Sequence, residues 1–325
     1  MHSLILCKMG IPLVDFSAYS LSKKDVPDEE LQVLIKELKT AFMEVGFVYL
    51  KNTGITQEEV DNVMKISMEF FLQPDELKKP FRRTYFDKQP NHGWVPIEAE
   101  RLNPQRPEDF KELFNVSSLH PDVKWPSAGA LAGFQEIQTS YFNRCKDLSL
   151  RVLRLMALSL GIDPEVFLGA HRLIGTNGNS TTLRSLYYPP VSSEQMKANQ
   201  LRCGEHADYG SITLLVQSPE GGLQVRDRSG KYVHVPTIPG AILVNIADLM
   251  QRWTSDQFVS TLHRVLLPPS GDFGTRQSVA FFVHPDDEAL ITCCDGSNKY
   301  PPITSYDHLM GRFQQSFSNI PEYTN

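Results

Sequence analysis

The chain has 325 residues, 41% of them hydrophobic and 22% charged, which is enough to bury a sizeable core and ordinary for a soluble globular protein. A net charge of −6 and a pI near 5.9 argue against nucleic acid as the main partner. Five cysteines without regular spacing, two of them adjacent at Cys293-Cys294, speak against a disulfide framework and for a reducing compartment. The run Leu4-Ile5-Leu6-Cys7 is too short for a signal-peptide core, and no stretch approaches a membrane span. The expectation is a cytoplasmic protein with no membrane partner and no evident protein partner.

Leu31, Leu34, Ile35, Leu38, Phe42 and Val45 recur at helical spacing up to Gly46, and Phe47 to Leu50 then reads as a strand. Thr56-Gln57-Glu58-Glu59 is a capping box that opens a second helix through Phe71, stopped by Pro74. Residues 75 to 127 are rich in proline and charge and read as irregular, apart from a strand at Leu113 to Val116. An amphipathic pattern from Phe134 to Leu160 predicts a long helix closed by Gly161, and Asp163-Pro164 starts a short one. From about Thr182 to His284 the character changes to short β-rich runs between turns: Leu214 to Val216, Leu223 to Val225, Tyr232 to Val235, Ile242 to Asn245 and Val279 to Val283. That density suits a sandwich or barrel. Thr304 caps a C-terminal helix that includes Leu309, Met310 and Phe313. The chain divides into 1–127 and 128–325, read as one cooperative unit because the helical half supplies no second core.

The chemistry is concentrated in Cys203-Gly204-Glu205-His206-Ala207-Asp208-Tyr209-Gly210 and, far along the chain, Ser260-Thr261-Leu262-His263-Arg264-Val265. If residues 206 to 208 are extended, His206 and Asp208 leave the same face of a strand, because strand side chains alternate with period two. His263 completes a two-histidine, one-carboxylate set. Such a set with open positions suits non-haem Fe(II), and the ligand chemistry alone also permits catalytic zinc. Arg276-Gln277-Ser278 opens an apolar strand, so Arg276 and Ser278 share a face and form a clamp for a carboxylate. Fe(II) less the Asp208 charge leaves one positive charge and Arg276 adds another; a dianionic dicarboxylate such as 2-oxoglutarate balances both.

These motifs resemble the Fe(II)/2-oxoglutarate-dependent dioxygenases, in the branch similar to isopenicillin N synthase. Leu183-Arg184-Ser185-Leu186-Tyr187-Tyr188-Pro189-Pro190, Gly221-Gly222-Leu223-Gln224-Val225 and Val244-Asn245-Ile246-Ala247-Asp248-Leu249 follow in family order. So do Ile11-Pro12-Leu13-Val14-Asp15 and Gly46-Phe47-Val48-Tyr49-Leu50, and the resemblance covers nearly the whole chain. It implies a mainly β fold with flanking helices, a double-stranded β-helix (jelly roll) core buttressed by N-terminal and central helices. It also implies iron on His206, Asp208 and His263, with Arg276, Ser278 and Tyr188 at the distal carboxylate of the oxoacid. Leu186 departs from the asparagine common in plant members. The implied cofactors are Fe(II), 2-oxoglutarate as cosubstrate, O2 and ascorbate as a stimulant. The implied reaction oxidises a small organic molecule by hydroxylation, desaturation or cyclisation, with release of succinate and CO2. Two alternatives stay open: a 2-oxoglutarate-independent iron oxidase or cyclase in which Arg276 holds substrate, and a non-catalytic binding protein on the same fold.

For single residues the plainer readings stand beside the functional ones. Asp208 before Tyr-Gly fits a turn, Arg276 fits a buried ion pair, and Tyr188 before two prolines fits a core aromatic. Asp248 is either a partner for a metal-bound histidine or the N-cap of a short helix. His92, His120, His171, His234, His284 and His308 lack a carboxylate at ligand spacing and read as structural or exposed. Arginines 82, 83, 101 and 106 fit recognition of an anionic substrate or, more plainly, a solvated face. Trp94, Phe114 and Phe282 fit either a pocket wall or plain core.

Overall fold

A computed structural model describes residues 5–6, 10–83, 91–117, 119, 123–127, 129–191, 196–267 and 274–317. Two sheets face each other. The larger runs, edge to edge, Ile5–Leu6, Pro12–Asp15, Phe47–Lys51, Ala241–Ile246, Ile212–Gln217, Arg276–Val283, Thr182–Tyr188, Glu112–Val116 and Gly93–Val95. The smaller runs Tyr232–His234, Leu223–Arg226, His263–Val265 and Cys203–His206. All pairings in both are antiparallel except that of Pro12–Asp15 with Phe47–Lys51. This is the jelly roll expected, with N-terminal strands built into the larger sheet beside Ala241–Ile246.

Period-two alternation sorts each strand's side chains into two cores. Val48, Leu50, Ile212, Leu214, Val244, Val279 and Phe281 face outward onto the helices Gln32–Glu44, Gln57–Phe71 and Phe134–Leu160. There Phe281 meets Phe142 edge-on, with ring centroids 5.0 Å apart. The residues between them, Phe47, Tyr49, Leu186, Tyr188 and Ala280, face inward against Leu223, Val225 and Val265 of the smaller sheet. The helices thus buttress one face, and the other face forms a cavity.

The helix boundaries follow the sequence signals. Thr56 caps its helix with a reciprocal pair of hydrogen bonds to Glu59, and Gly161 ends the long helix at φ +72. Gly46 ends the first helix at φ +75 where a Cβ would lie 2.1 Å from the Val259 carbonyl, so only glycine lets the chain turn there into Phe47–Lys51. The Thr304 hydroxyl accepts from the Asp307 amide as the cap of Ser305–Phe317. No helix among the described residues is long and apolar enough to cross a membrane.

The segment expected to be irregular is more ordered than its composition suggests. Besides Glu112–Val116 it holds the short helix Asp75–Lys78 and the edge strand Gly93–Val95. Several of its charges are turned inward. Lys78, Glu100, Asp109, Lys111 and Glu112 are all buried, in ion pairs Lys78–Glu112, Lys111–Glu100 and Lys111–Asp109. Arg101 and Arg106 are likewise held, by Glu108 and Glu205, instead of forming a solvated face, and Arg82 and Arg83 also have partners.

Candidate metal centre and oxoacid pocket

His206 ends the strand Cys203–His206 and stands directly opposite His263 of the neighbouring strand, with the two rings 4.3 Å apart. Asp208 lies two residues past the last strand residue, His206, just beyond the hydrogen-bonded ladder. The Asp208 carbonyl accepts from the Asp248 amide, which ties it to the start of the helix Asp248–Trp253. Asp208 Oδ1 is then 3.6 Å from Nε2 of both His206 and His263. Both distances lie inside the about 4.2 Å that two bonds of about 2.1 Å to a shared ion can span.

The protonation pattern also fits a metal. Nδ1 of His206 is 2.8 Å from the Gly204 carbonyl and Nδ1 of His263 is 3.2 Å from that of Thr261. A carbonyl only accepts, so Nδ1 carries the proton and each Nε2 lone pair points to the shared space. Burial holds His263 below the usual imidazole range, which keeps it neutral at pH 7. Burial works to raise Asp208, but the facing imidazoles and the hydrogen bonds from Asn245 and Thr213 outweigh it and hold the carboxyl low. Those two bonds, 2.8 Å from Asn245 Nδ2 and 2.7 Å from Thr213 Oγ1, both fall on Oδ2 and leave Oδ1 for the metal.

Asn245 and Thr213 were the missing partners, and Asp248 is not one of them. Asp248 is the first residue of the helix Asp248–Trp253, with Ala247 in the capping position, and its carboxylate is engaged by Ser260 and Arg312. A polar Asn245 on the inward face of the apolar strand Ala241–Ile246, in register with Thr213, was the available signal. Asn245→Ala should weaken Fe(II) affinity roughly 10–100-fold by freeing the carboxylate to rotate. A metal titration of the variant measures this.

Arg276 is 1% exposed and pairs in register with Tyr188, its guanidinium carbon 4.7 Å from that ring. Its Nε donates to the Gly221 carbonyl at 2.8 Å, Nη2 to Gln217 Oε1 at 2.7 Å, and Nη1 lies 3.4 Å from Ser278 Oγ. No carboxylate pairs with it among the described residues, so the buried ion pair is not its role. A second guanidinium, Arg202, equally buried, lies 6.0 Å from the same tyrosine ring with its Nε unpartnered. Burying such charge without a counter-ion is costly, which marks this end of the cavity for an anion.

One cavity joins both ends. His206, Asp208, His263, Arg276, Ser278 and Tyr188 all line it, and so does Phe282. Trp94 and Phe114 do not; they are core, Trp94 donating to Glu112 and Phe114 stacking edge-on against Phe70. The remaining described histidines stay outside the metal group. His171 is buried between the Phe167 carbonyl and Ser211, His92 packs on Trp125 and Phe114, and His234 is exposed. His284 and His308 are held well below the usual imidazole range, first by burial, while His120 lies outside the described residues.

Comparison with known proteins agrees with this geometry. Residues 179–285 match the model of the 2OG-Fe(II) oxygenase superfamily, and residues 11–132 match that of the non-haem dioxygenase in morphine synthesis N-terminal region. The chain is 30% identical over 306 residues to the 2-oxoglutarate-dependent dioxygenase htyE of Aspergillus rugulosus, covering 87% of this chain and 90% of that protein. It is also 30% identical to the proline hydroxylase buaE of Petromyces alliaceus, over 88% of this chain and 94% of the relative. A full-length Neurospora crassa protein, crystallised in complex with alpha-KG and thymine, superposes with a TM-score of 0.83 at 30% identity, covering 96% of this chain and 99% of that one. Motifs, fold and relatives converge, and the chain belongs to the 2OG-Fe(II) oxygenase superfamily.

Proposed function

We propose that His206, Asp208 and His263 hold Fe(II) on one face, and that Arg276, Ser278 and Tyr188 receive the distal carboxylate of 2-oxoglutarate. The observation that carries this reading is the buried, carboxylate-free Arg276 beside Ser278, in the same cavity as the three metal ligands. When bound, Fe(II) and 2-oxoglutarate supply, with O2, an oxidant able to attack a C–H bond, with release of succinate and CO2. The chain's own work is positional. The carbonyls of Gly204 and Thr261 orient the imidazoles, Asn245 and Thr213 fix the carboxylate, and Leu186, Leu215, Leu223 and Val265 line a largely apolar chamber.

Residues 1–127 and 128–325 act as one folding unit, a reading supported by Phe47–Lys51 lying inside the larger sheet and by the Phe47 ring packing edge-on at 5.6 Å from His263. A cytoplasmic location is supported by the free thiols of Cys145, Cys203, Cys293 and Cys294. The substrate is a small molecule, and two relatives stand for two chemistries: thymine, a flat neutral ring, and proline, a zwitterion.

The test is an anaerobic titration of the Fe(II)-loaded protein with 2-oxoglutarate. A visible charge-transfer band that saturates at one equivalent is the expected result. No band with correctly folded, iron-loaded protein would remove the oxoacid assignment.

A further inference from the structure

Beyond the oxoacid end, the cavity has a second polar wall. Arg184 and Phe282 both line it, and the Arg184 guanidinium lies 5.4 Å from the Phe282 ring. Phe282 is in register with Thr213, the residue that fixes Asp208, so this wall stands at the metal end. Arg276 is six residues back along the same strand, roughly 20 Å at about 3.4 Å per residue. Between them, Ala280 is flanked in register by Arg184 and Leu215, and its short side chain leaves open the space that a larger residue would fill.

Arg184 is held rigidly. Its Nε donates to Asn115 Oδ1 at 2.9 Å, and Nη1 reaches both Glu100 oxygens at 3.2 Å. Nη2 has no hydrogen-bond partner among the described residues, although the side chain is only 11% exposed. A fixed donor left over beside an aromatic face is the form of a recognition site.

The charges decide what it recognises. Burial alone would raise the Glu100 carboxyl, but Arg184 and Lys111, with a smaller pull from Arg83, hold it at about 2, so it is ionised. Lys111 contacts both Glu100 and Asp109. Among these contacting groups the two cations, Arg184 and Lys111, are therefore matched by the two anions, Glu100 and Asp109. At the metal, Fe(II), Asp208, Arg276 and the 2-oxoglutarate dianion also cancel. Arg202 lies outside the lining, 6.0 Å from the Tyr188 ring at the oxoacid end, where its positive charge further disfavours a substrate ammonium group. Asp208 is the sole carboxylate among the described lining residues and belongs to the metal, so a substrate ammonium group would find no counter-ion. A substrate carboxylate would meet an arginine already neutralised by Glu100. An unmatched charge against so largely apolar a lining is costly.

Resting on the oxygenase reading above, we infer that the substrate is an uncharged, planar molecule of the cyclic-amide or nucleobase kind, its carbonyl accepting from Arg184 Nη2 and its ring against Phe282. The zwitterionic amino acids are then the wrong class for this pocket.

The experiment uses the full chain loaded with Fe(II) and 2-oxoglutarate, and compares thymine, proline and orotate, the last a planar pyrimidine that carries a carboxylate. Binding is followed anaerobically by the change in the charge-transfer band, and turnover by succinate. Thymine should bind at least tenfold tighter than the other two and raise succinate release. Arg184→Met should raise the KM for thymine at least tenfold, with 2-oxoglutarate affinity within twofold of wild type, which shows that the fold and the iron site are intact. Glu100→Gln leaves a net positive charge at Arg184 and should shift preference toward orotate at least tenfold. Tighter binding of proline or orotate by the wild type, absence of thymine binding, or unchanged orotate preference in a folded Glu100→Gln protein would each overturn the inference. Failure of the oxygenase reading looks different, because the charge-transfer band itself would be missing.

Discussion

Asp208→Asn should reduce turnover to background while leaving the fold standing. Asparagine keeps the shape and an oxygen for Thr213 or Asn245, but it removes the one anionic ligand that faces both imidazole Nε2 atoms at 3.6 Å. Iron affinity depends on that charge, since the remaining donors are two neutral rings. Asp208→Ala should lose activity equally but also leave the Asn245 and Thr213 donors unpaired, at about 1–3 kcal/mol. His206→Ala and His263→Ala should be inactive as well, because an open-faced site needs all three ligands. Succinate release and unfolding midpoints separate the two effects. Full turnover in any of these variants would end the metal assignment, and collapse of the unfolding midpoint in Asp208→Asn would make the triad a structural feature.

What was legible in the sequence was whatever a local pattern encodes. The capping box at Thr56, the turn at Gly46 and the alternation in Arg276-Gln277-Ser278 each depend on near neighbours, and each appears in the structure at its expected place. The triad was legible because residue types as unusual as His-x-Asp with a distant His announce themselves. Asp248 was misread for a physical reason: an aspartate before an apolar helical run has the composition of a cap, and nothing local shows that the Asp208 loop takes its amide while Ser260 and Arg312 take its carboxylate. The solvated-face reading of Arg101 and Arg106 failed for a related reason, since their partners Glu108 and Glu205 come into reach only in the folded chain. Lys111 lines the cavity and pairs with Glu100 and Asp109, which lie outside the lining, and Arg184 and Cys203 reach this cluster from elsewhere in the chain. Arg184 itself lies two residues before Leu186 and four before Tyr188, so strand alternation alone would have put it on the cavity face.

Arg276→Leu should cost roughly 2–5 kcal/mol of 2-oxoglutarate affinity, the range for truncating one member of a buried charge pair. The side chain is 1% exposed and has three oxygen partners that hold its plane, from Gly221, Gln217 and Ser278, so the guanidinium is preorganised and binding orders little more of it. Leucine fills much of the space against Tyr188 but offers no donor, and the distal carboxylate would be desolvated with the Ser278 and Tyr188 hydroxyls and the more remote Arg202 in its surroundings. Arg276→Lys should recover only part of the loss, because an ammonium cannot reproduce the forked geometry or the stacking on the ring. The pair of titrations that decides the matter measures 2-oxoglutarate and substrate separately. If the charge-transfer band of Arg276→Leu saturates at the wild-type concentration while substrate binding collapses, Arg276 holds the substrate, and the chain works as an oxidase that draws all its electrons from one molecule. If the oxoacid is lost and substrate binding survives, the buried arginine is the anchor of the cosubstrate.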